Sequence, residues 1–568
     1  MTSAAQTHDR APIELPHRTR IEVLVAVLLG IFLAALDQTI VGTALPVIVT
    51  DLRGNDVYIW AFTAYLLTAT VSGPIYGKLS DIFGRRPLFV LGVAIFLLGS
   101  LLCGISTQMW QFIAFRGLQG LGAGALFPIA LAIIGDIFSP SERGKYQGFF
   151  GAVFGLSSLI GPALGGLITD NFGWHWIFFV NLPIGAVVLF VIWRTLPAHR
   201  ERDADRHIDY LGAALFVGAL VPILIGFTNK QFGEWTDADV GGLIALGLGL
   251  TAVFVWAESR AREPILPLGL FRIRAFTASV AALFLAATGF FAVIVFLPRW
   301  YQVVAGASAT ESGYQILPLL FGLILSAVGS GQLVARTGRY KALIAGALVL
   351  LVVGLFLLTN LRADTPRPLV WLWMAVAGLG IGPSFAVFTL VVQNAVPIRV
   401  LGTATSSITL FQQVGGTIGL AITGSIFGSR LLEEVPRQIT AAGVPAEFAN
   451  QFASGGNAAL NDLAGVGDLG ASILAQVPEA FRPQVEPLVP AIVGGIHQAF
   501  SLAVASTFMI GIVSAILATL IVLVLLPAGR MGEREASDQA PGADQAEGAA
   551  GDGGLPAPTL LSPDPGAE

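Results

Sequence analysis

GKLSDIFGRRP (residues 77–87) and GQLVARTGRYK (331–341) lie 254 residues apart and agree at four offsets: Gly77 with Gly331, Leu79 with Leu333, Gly84 with Gly338, and Arg85 with Arg339. Each stretch is short and basic, and each joins two apolar runs of about twenty residues, the length of a helix that crosses a bilayer. Their placement decides the fold. Each copy follows the second run of a six-run group once two central runs are set aside as an insertion. Parallel six-helix repeats are one route to a transporter whose site lies between the halves.

The composition agrees with a membrane solvent. The chain has 568 residues, 55% of them hydrophobic and 12% charged, with a mean hydropathy of +0.77. Soluble domains carry about twice that charged fraction. Apolar runs give fourteen candidate spans, so the expected fold is an all-α integral membrane protein with 14 transmembrane helices. These divide into a cytoplasmic segment 1–21, a six-helix bundle 22–195, two inserted helices in 209–258, and a second bundle 275–526. The last two spans, 404–428 and 497–526, flank a long outer segment, 429–496. An acidic tail, 527–568, follows; eight acids against Arg530 and Arg534 from Ala528 onward, with much Gly, Ala and Pro, read as disordered. With the N-terminus inside, inner segments hold twenty-two Lys and Arg and outer ones eight, which places both termini in the cytoplasm. The first apolar run is too long for a signal-peptide core and reads as a retained span. No basic face for nucleic acid remains, and the single cysteine, Cys103, excludes an intramolecular disulfide.

One residue is chemically out of place. IFLAALDQTIVGTALP (31–46) puts Asp37 inside an apolar run that starts near Val23. A carboxylate at mid-helix costs roughly 2.5–3.5 kcal/mol on insertion scales, so an acid kept there calls for a function. Burial disfavours the charged form of a carboxyl, and a nearby cation favours it. Arg116 lies within about 10 Å of the same depth, given a rise of 1.5 Å per residue. Two readings stand. Asp37 carries a proton as a cavity opens to either side, or Asp37 and Arg116 form a static pair that fixes helix packing. Gln119, three residues on, shares the face of Arg116.

Several motifs carry a resemblance. GKLSDIFGRRP resembles the span 2–3 signature of the major facilitator superfamily. RGLQGLGAG (116–124) is similar to its span-4 arginine motif, and GPALGG (161–166) to its antiporter motif. LDQTIVGTALP (36–46), WHWIFFVNLPIG (174–185), QNAVP (393–397) and GTATS (402–406) are similar to the fourteen-span drug:proton antiporters of the QacA/EmrB type. The match covers roughly residues 25–428 and resumes in the last span. It implies a proton-coupled exporter of small hydrophobic or amphiphilic compounds, a multidrug efflux pump working by alternating access in the plasma membrane as a functional monomer. It also implies proton coupling through Asp37 with help from Arg116. A cytoplasmic latch would be built from Gly77, Asp81, Gly84, Arg85 and, from the next inner loop, Arg143.

Read physically, Gly84 permits a tight turn, and Arg85 with Arg86 also serve as inner-surface anchors. Ala335 stands in the second copy where the first has Asp81, so any latch is asymmetric. In GPALGG, the small residues Gly161, Gly165 and Gly166 allow close backbone approach. Pro162 removes one helix hydrogen bond and bends the span, which suits a contact about which the halves rock. Gln119, Gln393, Asn394, Gln412 and Gln413 either line a substrate cavity or bond between helices. Relatives often carry arginine where Gln412 stands, and the second half has no mid-span acid.

Other chemistries find no support. The runs GLGAG (120–124) and GLGIGP (378–383) follow no βαβ pattern, and no GxxxxGKS, GxSxG or metal-spaced His/Cys cluster occurs. No enzyme, no cofactor and no metal are expected; the proton gradient is the driver, and the partners are substrate, protons and the bilayer. Export of an endogenous lipid or amphiphilic metabolite on the same fold stays open, with 429–496 as an outer funnel.

Overall fold

The computed structural model describes residues 15–53, 59–138, 140–197, 209–230, 233–261, 264–397, 400–445, 469–476 and 482–528. The acidic tail beyond Ala528 and residues 446–468 and 477–481 of the outer segment lie outside the described residues. The helices are α1 (His17–Asp51), α2 (Ile59–Phe83), α3 (Arg85–Gly104), α4 (Met109–Ile137), α5 (Pro140–Phe172), α6 (Trp176–Phe179), α7 (Asn181–Thr195), α8 (Tyr210–Asn229) and α9 (Leu243–Glu258). The second part holds α10 (Arg274–Val303), α11 (Ala309–Gln315), α12 (Leu317–Thr337), α13 (Lys341–Leu358), α14 (Arg367–Ala395), α15 (Leu401–Ala441), α16 (Leu469–Gln476) and α17 (Val489–Leu525). Among the described residues no β-strand forms.

Among the described residues, twelve helical stretches are long and apolar enough to cross a membrane, against the fourteen expected. The two that fall short are α2 and α5. In α2 the reason is plain: Thr70, Ser72, Ser80 and Asp81 are buried polar residues of a helix that faces protein on several sides. Interior position, not solvent, lowers its hydropathy.

Two separate apolar cores underlie the halves. One gathers Val27, Ile31, Phe89, Phe96, Ile129 and Val188; the other gathers Phe276, Leu283, Leu351, Leu355, Phe388 and Phe500. The repeat seen in sequence persists in packing. A Cβ on Gly122 would strike the backbone of Phe96, closing α4 onto α3, and one on Gly380 would strike Leu351, closing α14 onto α13. Both signature glycines sit at positive φ, Gly84 at 92° and Gly338 at 68°, a region that a side chain disfavours. Each therefore turns the chain between the second and third helices of its half.

The inserted pair, α8 and α9, packs on α2 and α15 through Val71, Phe216, Leu266 and Leu410. At the far end of the second half the helices outrun the expected spans. α15 has 41 residues and continues to Ala441 instead of stopping near 428, and α17 has 37 and begins at Val489. At 1.5 Å per residue they measure about 60 and 55 Å, against about 30 Å of hydrocarbon. Their excess lengths pack on each other: Val435, Ile439, Ile492 and Ile496 are buried together, and Gly495 lies against the backbone of Ile439.

Candidate functional site

Asp37 is completely buried, as is Arg116. α1 presents the carboxylate and α4 the guanidinium, and Arg116 Nη1 donates to Asp37 Oδ2 at 2.5 Å. Two amides complete the cage: Gln119 Nε2 donates to Asp37 Oδ1 at 2.8 Å, and Asn181 Nδ2, at the start of α7, donates to the same oxygen at 3.1 Å. Asn181 Nδ2 also donates to Ser100 Oγ on α3 at 2.9 Å, whose hydroxyl donates to Phe178 O. A carboxylate with three donors is well held when ionised. Arg116 keeps neutral partners besides Asp37. Its Nε donates to Ala61 O at 3.2 Å, its Nη1 also donates to Gln119 Oε1 at 2.7 Å, and the Tyr65 ring centroid lies 4.3 Å from its Cζ.

A cavity of about 20 Å³ lies beside this cage, between the halves, with room for about one water molecule. Gln38, Tyr65, Thr70, Phe127, Thr409 and Gln413 are among its walls, and no acidic residue is among the described residues that line it. Tyr65 thus stands between the cavity and Arg116, and Gln38 is the chain neighbour of Asp37. Thr70 Oγ1 bridges the halves here by donating to Gln413 Oε1.

Below the cavity, at the end carrying residues 77–87, the halves are sealed. Asp81 Oδ1 accepts from Gly402 N at 3.1 Å, and Oδ2 accepts from Thr403 N at 2.9 Å and Thr403 Oγ1 at 3.0 Å. The first turn of a helix has N–H groups without intrahelical partners, and here one half supplies the cap for α15 of the other. Arg85 Nη1 holds the same carboxylate, and Arg85 Nε donates to Asp136 Oδ2 at 2.9 Å. Gly77 permits the closure, because a Cβ there would overlap Ser406. Arg143 lies in α5, but its side chain is outside the described residues.

The structure relocates several expected residues. Gln119 belongs to the Asp37 cage, not to the cavity wall. Gln393 donates to Leu131 O across the sealed end at 3.1 Å, Asn394 donates to Leu390 O of its own helix, and Gln412 is absent from the walls, which leaves Gln413 as the one of the five that lines the cavity. In GPALGG, Gly161 and Gly165 abut Thr39 and Ile40 of α1 inside one bundle. The same helix α5 packs along α12 of the other half, where Gly155 meets Ile324. Gly166 is half-buried, and the α5 helix runs on through Pro162, whose side chain is outside the described residues. Asn181, Ser100, Tyr65 and Asp136 escaped the sequence reading. Asn181 sits inside the quoted WHWIFFVNLPIG motif, which was its one available signal.

Two helical halves sealed at one end around a cavity, with an ion pair buried in one wall, define a membrane transporter. The Major Facilitator Superfamily model matches residues 27–420, and the chain belongs to that superfamily, whose members are transporters and not enzymes. It is 35% identical over 531 residues to the Multidrug transporter protein MdtP of Bacillus subtilis (strain 168), covering 91% of this chain and 95% of that protein. It is 34% identical to the Tetracenomycin C resistance and export protein of Streptomyces glaucescens, over 74% of this chain and 78% of that one. Among solved structures, the proton:xylose symporter XylE shares the fold, with a TM-score of 0.56 at 15% identity over 92% of this chain and 99% of the other.

Proposed function

We propose that this chain is a proton-coupled antiporter that exports small hydrophobic or amphiphilic compounds across the cytoplasmic membrane by alternating access. In this reading α2 and α5 complete a set of fourteen spans, both termini are cytoplasmic, and a monomer suffices. The sealed end is the cytoplasmic one, so the structure corresponds to a state closed to the cytoplasm. No cofactor takes part.

The observation that carries the reading is the Asp37–Arg116 pair, buried one residue from a cavity-lining side chain. Protonating Asp37 removes its charge, and the three neutral partners of Arg116 remain to hold the guanidinium. The pair can therefore part and re-form as the cavity changes sides. One proton moving down about 150 mV supplies roughly 3.5 kcal/mol, which bounds a neutral substrate gradient at a few hundredfold. The names of the relatives, a multidrug transporter and an antibiotic export protein, supply the direction and the substrate class.

The test is transport of an amphiphilic dye into proteoliposomes under an imposed pH gradient. Asp37→Asn is expected to reduce driven accumulation to the level of empty vesicles while facilitated, gradient-free dye exchange persists. Driven accumulation at the wild-type level would remove Asp37 from the coupling step. Lipid extracts of a deletion strain separate drug export from export of an endogenous amphiphile, a reading favoured by the long α15–α17 projection.

A further inference from the structure

Asn181 Oδ1 is buried and has no hydrogen-bond partner, although the other end of the same amide makes two bonds, to Asp37 Oδ1 and Ser100 Oγ. An unpartnered acceptor within reach of a carboxylate is a demand the static pair does not explain. We propose that Asn181 is the positioning residue that reads the charge of Asp37: its amide donates to the ionised carboxylate and turns over to accept from the protonated acid. This rests on the reading of Asp37 as the proton carrier.

The hydrogen-bond inventory gives the amide two usable orientations. In the present orientation both hydrogens of Nδ2 are used and Oδ1 is left over. Turned by half a revolution about its Cβ–Cγ bond, the amide offers Oδ1 to the same two positions. There it accepts from the Asp37 hydroxyl and from Ser100, whose hydroxyl now serves Phe178 O, and Nδ2 is left over instead. Turned over, the amide leaves Nδ2 unpartnered and takes the Ser100 hydroxyl from Phe178 O, so the surroundings alone hold the present orientation and do not turn it. The protonation of Asp37 does, because an ionised carboxylate accepts only and a carboxylic acid also donates. A proton arriving on Oδ1 leaves Oδ2 free to keep accepting from Arg116.

The other groups facing the site do not duplicate this role. α4 contributes Arg116, which only donates, and Gln119, whose Oε1 is engaged by Arg116 Nη1 and whose Nε2 donates to Asp37. α2 contributes Tyr65, whose hydroxyl donates to Ala34 O at 3.3 Å, and α3 contributes Cys103 beside Gln119. On α1, Thr39 donates within its own helix and to Ser157 O of α5. Among the described residues, Arg116, Tyr65 and Cys103 are the titratable groups around the carboxylate, and none presents a free acceptor to it.

Infrared difference spectroscopy of the full chain in liposomes, titrated with pH, tests this without a substrate. The protonated Asp37 band is assigned by its loss in Asp37→Asn. Asn181→Val and Asn181→Thr have nearly the same shape, and the threonine hydroxyl alone donates or accepts as needed. Because a bond to a charged acceptor outweighs one from a neutral acid, Asn181→Val is expected to move the pH midpoint of the band upward by about one unit. It also shifts the carbonyl stretch to the higher frequency of an acid without an acceptor. Asn181→Thr is expected to restore both toward wild type. A midpoint shift with an unmoved carbonyl stretch would show a fixed donor and overturn the switch, as would a valine variant identical to wild type. Should Asp37→Asn leave the titrating band intact, the parent reading fails instead, and the two failures are thereby told apart.

Discussion

The two signature loops share a turn and differ in what they hold. In both, a glycine at positive φ lets the chain reverse between the second and third helices of its half. In the first, Asp81 reaches across to the N-terminus of α15 while Arg85 links it to Asp136. In the second, Ala335 replaces the acid, Arg339 is exposed to solvent, and Tyr340 donates to Pro527 O at 2.9 Å, tying the loop to the end of its own bundle. Backbone geometry is thus the duplicated element. The contact that closes the molecule belongs to one copy only.

Three substitutions and one matched control break or sharpen that contrast. The largest effect is expected from Gly77→Val, which drives a branched side chain into Ser406 and the carbonyl of Gly402. Overpacking of about 3 kcal/mol against the sealed state corresponds to roughly a hundredfold loss of its population. Dye transport should fall accordingly, and a wild-type rate would show that the seal is dispensable. Next comes Asp81→Asn, which removes the charge from the cap on α15. About 2 kcal/mol for charged hydrogen bonds is near a thirtyfold shift toward separation of the two ends. It is read as a longer distance between spin labels at the exposed positions Phe83 and Arg336. Arg339→Ala, the matching change in the second copy, should leave that distance unchanged. The smallest effect belongs to Tyr340→Phe, which loses one hydrogen bond worth about 1 kcal/mol. It should lower the thermal unfolding midpoint by roughly 1–2 °C without altering dye transport.

What was legible in the sequence follows a physical rule: charges in hydrocarbon stand out, and neutral polar groups do not. Asp37 and Arg116 announced themselves against apolar neighbours, and depth arithmetic along two helices sufficed to suggest that they meet. Gln119 came with them through helical spacing, but its amide points into the cage and not into the cavity. Asn181 gave no comparable signal, because an uncharged amide at a helix start has many uses. GPALGG announced close packing, yet nothing in its small residues named α1 as the partner of Gly161 and Gly165. The helix α2 was legible as an apolar run although Thr70 and Ser72, buried against protein, lower its hydropathy. The reach of α15 was hidden because SRLLEEVPRQ (429–438) is polar on one side, and its apolar side finds α17, a partner distant in sequence.

That paired extension has a practical side. A carrier embedded in a detergent belt offers an electron microscope little to align on, and two pseudo-equivalent halves invite particles to be registered half a turn wrong. An antiparallel pair of long helix ends, belonging to one half, gives each particle image a handle and a docking place for an antibody fragment far from the sealed end.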